Sequence, residues 1–107
     1  METKRLAGLE PASVFGYFEE ICSMPHGSGN TKQISDYLVN FAKSQGLRYI
    51  QDAADNVIIF GDATPGYEDH PAVILQGHMD MVCEQDPDCT IDMAKEGLDV
   101  TYEGNMV

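Results

Sequence analysis

His78 and Asp80 are the residues of this 107-residue chain whose types and spacing can do chemistry together. In extended backbone, residues two apart project to the same side, so the imidazole and the carboxylate can face one site. A neutral imidazole ligates a divalent metal through one nitrogen, while a carboxylate on the other nitrogen's N–H fixes the tautomer and raises ligand basicity. A lone His-x-Asp is a weak signal, because a histidine beside an apolar strand is more often structural.

The pair must be positioned by the stretch that carries it, Ala72-Val73-Ile74-Leu75-Gln76-Gly77-His78-Met79-Asp80-Met81-Val82. Its apolar run with β-branched Val73 and Ile74, closed by Gly77, predicts a buried strand of a parallel sheet, with chemistry at its carboxyl end. Upstream, Pro11 followed by Val14, Phe15, Phe18, Ile21 and Cys22 predicts an amphipathic helix over about 11–22, with Glu19 and Glu20 as solvated charge. Pro25 stops it, and His26-Gly27-Ser28-Gly29-Asn30 reads as ordinary turn chemistry, with Ser28 or Asn30 capping the next helix. That helix shows an apolar face of Ile34, Tyr37, Leu38, Phe41 and Ala42 and ends at Gly46.

A hairpin is expected next, from Leu47, Tyr49 and Gln51 through a turn at 52–56 to Val57-Ile58-Ile59-Phe60. In it Asp55 is a turn residue and no catalyst. His70, beside Pro71 in a polar connection, reads as exposed and inert. Val100-Thr101-Tyr102 reads as a strand, a turn at 103–105 follows, and Met106-Val107 begins a partner strand, so the expectation is of a sequence that stops in mid-hairpin.

Eighteen acidic against six basic residues give a net charge of −12. That charge repels phosphate backbones and anionic lipid surfaces, which excludes nucleic acid and membrane as expected partners. No apolar run approaches the roughly 20 residues of a membrane helix. The N-terminus lacks the apolar core of a secretory signal, and Cys22, Cys83 and Cys89 have no zinc-finger spacing. A cytoplasmic location and reduced thiols are expected, with Cys83 packed beside the motif.

The order of these elements, with Met24-Pro25-His26-Gly27-Ser28-Gly29, Asp55-Asn56-Val57-Ile58-Ile59, Ala63-Thr64-Pro65-Gly66-Tyr67-Glu68 and above all Gln76-Gly77-His78-Met79-Asp80-Met81-Val82, resembles the N-terminus of the aminoacyl-histidine (Xaa-His) dipeptidases. These belong to the two-zinc exopeptidases that include the carnosinases. The resemblance implies an α/β fold, the N-terminal part of a three-layer α/β/α catalytic domain, with residues 1–107 as an incomplete portion lacking the lid or dimerisation domain. It implies that the position of His78 ligates one of two zinc ions and that Asp80 holds its imidazole. The bridging aspartate and the Glu-Glu pair of that group match nothing in this sequence.

The implied activity is metal-dependent hydrolysis of Xaa-His dipeptides. With one zinc ligand in a metal that needs about three or four, these residues alone are expected to be inactive. Unpaired sheet edges and an under-covered apolar face predict self-association. The competing reading is a small acidic α/β binding or scaffold module in which His78 is structural.

Overall fold

The computed structural model describes residues 5–107. It contains helices α1 (Ala12–Cys22) and α2 (Lys32–Ser44), then strands β1 (Arg48–Gln51) and β2 (Val57–Phe60). Both helices and the hairpin lie where the sequence pattern predicts them.

Helix α2 is the centre of the core, contributing buried Ile34, Ser35, Val39 and Ala42; among the described residues Leu6 and Cys22 are the other buried hydrophobic side chains. It ends in a Schellman motif: Leu47 N–H donates to Ala42 O at 2.9 Å and Gly46 N–H to Lys43 O at 3.1 Å. Gly46 takes φ +68°, a conformation in which a Cβ is strained. The start of α2 departs from expectation. Neither Ser28 nor Asn30 caps it; Thr31 holds the N-cap position, and its hydroxyl turns away to donate to Asp55 Oδ2 at 2.9 Å.

Helix α1 leans on α2 through an edge-to-face pair of Tyr17 and Phe41, 5.6 Å between ring centres, and a 2.5 Å hydrogen bond from Tyr37 Oη–H to Glu20. Burial and the Glu20 carboxylate push the Tyr37 phenol well above its ordinary pKa. Glu19 accepts the backbone N–H groups of Arg5 at 2.7 Å and Leu6 at 3.1 Å. The two glutamates expected to be solvated charge are therefore ties between segments. Val14 and Phe18, placed on the apolar face by periodicity, are exposed.

The two strands pair antiparallel in the register Arg48 with Phe60, Tyr49 with Ile59, Ile50 with Ile58 and Gln51 with Val57. Asp52 closes the turn, its carboxylate accepting from the N–H groups of Ala54 and Asn56 and from the Asn56 amide. The Asn56 side chain and then its backbone N–H hold the Asp52 carboxyl below the usual carboxylate range. Asp55 sits at φ +69°. A polar joint centred on buried Ser35 locks the hairpin to α2: Ser35 Oγ–H donates to Asp55 O at 2.8 Å and accepts from Gln51 Nε2 at 2.8 Å.

Beyond β2 the expectations fail in part. No strand forms at 72–77 among the described residues, and Val73, Ile74 and Leu75 are exposed, Leu75 by 93%. An apolar strand needs a neighbour to satisfy its backbone groups and to cover its faces, and the two-stranded sheet does not reach this run. Likewise 100–102 form no strand, and the terminal hairpin reduces to one bridge between Glu103 and Met106. The radius of gyration, 16.5 Å, exceeds the roughly 13 Å of a compact domain of this length. The described sheet is thus a hairpin against a helix layer, without the second helix layer of a three-layer domain.

Removing the Ser35 hydroxyl leaves a carbonyl and an amide N–H short of partners inside the joint. Ser35→Ala is expected to lower stability by about 1–3 kcal/mol in urea unfolding; an unchanged midpoint would show that water replaces the hydroxyl.

Candidate functional site

The His78–Asp80 pair is held by the loop after α1 rather than by a sheet. Pro25 forbids helix continuation, and the loop at 26–28 runs parallel to Met81 in a single bridge between Gly27 and Met81. Met81 N–H donates to His26 O at 2.9 Å, and Ser28 N–H donates to Met81 O at 3.1 Å. Gly27 lies against the exposed Cys83 side chain: a Cβ there would sit 2.5 Å from Cys83 Sγ, which would have to move aside. The same loop receives a later segment, with Leu98 N–H on Cys22 O at 2.6 Å and the Asn30 amide on Ala94 O at 3.1 Å.

On this support the pair has defined geometry. His78 Nδ1 lies 2.9 Å from Asp80 Oδ1 and 2.8 Å from Asp80 O. Both oxygens are acceptors, so the geometry calls for a proton on Nδ1; in the neutral ring that leaves the lone pair on Nε2. The imidazole side chain is 81% exposed and the carboxylate 38%. The second carboxylate oxygen, Oδ2, accepts from Ser28 Oγ–H at 2.7 Å. The Ser28 hydroxyl, and after it the His78 ring, hold the Asp80 carboxyl below its usual range.

Ser28 is the residue that sequence reasoning missed. The contact spans 52 positions, so no local pattern announces it. His26 is buried, its Nδ1 2.7 Å from Met24 O, which makes it a loop-stabilising side chain. His70 is exposed and lies against the Tyr67 ring, 5.0 Å between centres. Cys83 is exposed rather than packed, whereas Cys22 is buried, and burial followed by the Glu19 carboxylate raises its thiol pKa.

The donor set fits one corner of a metal site. In its neutral form His78 would offer Nε2 on a ring oriented through Nδ1. Among the described residues no three His, Cys, Asp or Glu side chains converge as a metal-holding group. Zinc is held by three or four ligands, so these residues do not close a zinc site. No helix among the described residues is long and apolar enough to cross a membrane.

No protein-family model matches the chain. It is 34% identical over 102 residues to the cytosol non-specific dipeptidase of Escherichia coli (strain K12), an alignment covering 95% of this chain and 21% of that protein. The crystal structure of the aminoacylhistidine dipeptidase from Vibrio alginolyticus matches with a TM-score of 0.86 and 34% identity, over 92% of this chain and 20% of that one. The chain spans about a fifth of the length of both relatives. The resemblance drawn from 76–82 and the residues upstream is borne out across nearly the whole chain, and the α/β fold matches a portion of a solved dipeptidase.

The loop contacts generate an ordering of two substitutions. A Cβ at residue 97 would sit 2.3 Å from Ser23 O, which is backbone, whereas at residue 27 it meets the end of an exposed cysteine side chain. Gly97→Ala is expected to cost about 1–3 kcal/mol and Gly27→Ala less, by thermal or urea unfolding. The reverse order would contradict the docking of 97–98 on Cys22 and Ser23.

Proposed function

We propose that this chain is the N-terminal portion of the catalytic domain of a metal-dependent dipeptidase, with His78 as one metal ligand and Asp80 as its orienting partner. The observation that carries the reading is the Nδ1–H of His78 on the Asp80 carboxylate, 2.9 Å, with Nε2 left open to solvent. That is the arrangement a metal-ligating histidine needs, tautomer fixed and lone pair presented. The likeness to two proteins named as dipeptidases supports peptide hydrolysis as the reaction and a dipeptide as the substrate. The name of the Escherichia coli relative supports a cytosolic setting.

Zinc, two ions in the group the motif resembles, supplies Lewis acidity towards a peptide carbonyl when bound. This chain's contribution is narrower. His78 donates one lone pair, and Asp80 holds the ring still and makes it a better base. With one such ligand, the 107 residues by themselves are proposed to lack turnover. Exposed Val73, Ile74 and Leu75, together with the outward pair Ile50 and Ile58, favour self-association of the chain when isolated.

Zinc titration followed by imidazole ¹⁵N shifts tests the reading on the chain itself. His78 Nε2 is expected to respond at lower zinc than His70, and Asp80→Ala is expected to weaken that response about 10–100-fold. Equal responses of the two histidines would contradict the assignment. Dipeptide turnover by the purified chain would contradict the single-corner reading.

A further inference from the structure

The geometry points to Ser28 as a positioning residue for the site, fixing the Asp80 carboxylate in the rotamer that orients the His78 ring. This inference rests on the proposed role of His78 for its functional meaning, but its geometry stands independently of any metal.

Asp80 has two oxygens with separate tasks. Oδ1 accepts from His78 Nδ1–H, and Oδ2 accepts from Ser28 Oγ–H. A carboxylate held at one oxygen only can turn about its Cβ–Cγ bond, a torsion that is broad and roughly two-fold. The second hydrogen bond removes that freedom. At 2.7 Å it is a charge-assisted O–H···O⁻ contact, roughly twice as strong as a neutral one.

Ser28 can serve because its own backbone is fixed. Its N–H donates to Met81 O, and the residue before it, Gly27, is bridged to Met81. The hydroxyl therefore reaches Asp80 from a loop pinned to the position immediately after it. The loop is pinned in turn by buried His26, whose carbonyl receives Met81 N–H and whose ring is bonded to Met24 O. The result is a chain of contacts running Ser28 to Asp80 to His78, ending at the open Nε2.

His78 Nδ1 also lies near the Asp80 carbonyl, at 2.8 Å. That carbonyl is a neutral acceptor and holds the N–H more weakly than the carboxylate, so a carboxylate that swings away takes the stronger support of the Nδ1–H tautomer with it. Ser28 acts on the balance between carboxylate and carbonyl, and hence on the ring's orientation and tautomer, without touching the metal position.

The test is made on the metal-free chain by long-range ¹H–¹⁵N spectroscopy of the imidazoles, at a pH where His78 is neutral. The wild-type ring is expected to be the Nδ1–H tautomer. In Ser28→Ala the Nδ1–H population is expected to fall toward that of a histidine in an unstructured peptide, with the His26 signals unmoved. Ser28→Thr, which keeps a hydroxyl, is expected to restore it. A Ser28→Ala spectrum with an unchanged His78 tautomer and an intact backbone fingerprint would overturn the inference. Should Ser28→Ala disturb the loop, Ser28→Cys keeps the shape with a weaker donor, and a wild-type tautomer there would overturn it equally. Failure of the metal reading appears elsewhere, as zinc shifts that do not favour His78, and leaves this result standing.

Discussion

Two backbone hydrogen bonds between the loop at 26–28 and Met81 are the constraint on which the candidate site depends. They join segments more than fifty positions apart, and no sheet among the described residues does that work. Without them, residues 78–80 would hang from an unpaired apolar run on one side and a polar loop on the other. With them, the Ser28 hydroxyl, the Asp80 carboxylate and the His78 ring fall into one chain of contacts.

This support differs in kind from the core. Helix α2 and the hairpin are joined by apolar burial and by the bonds of buried Ser35 to half-buried Gln51 and Asp55. The site, by contrast, lies in solvent, with its ring largely exposed. Exposed hydrogen bonds contribute little net stability, so the geometry of the pair is set by backbone pinning more than by the strength of its own contacts. The net charge of −12 favours cations over anions at the chain's surface in general.

The local elements were legible because their signals are local. Pro11, the periodic apolar residues, Gly46 and the turn residues at 52–56 specify two helices and a hairpin within a few positions of each other. The His78–Asp80 pairing was legible for the same reason, a spacing of two. What the sequence could not convey was distance in the chain: Glu19 and Glu20 as inter-segment ties, Thr31 spent on Asp55 rather than on its own helix, and Ser28 on Asp80. The apolar pattern at 72–77 predicts a buried strand, but a pattern does not supply the neighbouring strand and covering faces that such burial needs. In the described structure that run stands exposed.

Amide hydrogen exchange of the chain tests this account most directly, because it reads the pinning itself. The N–H groups of Met81 and Ser28, both bonded across the bridge, are predicted to be protected, while those of Val73, Ile74 and Leu75 exchange freely. Met81 and Ser28 exchanging as fast as Leu75 would contradict the claim that the loop at 26–28 holds the His78–Asp80 pair in place.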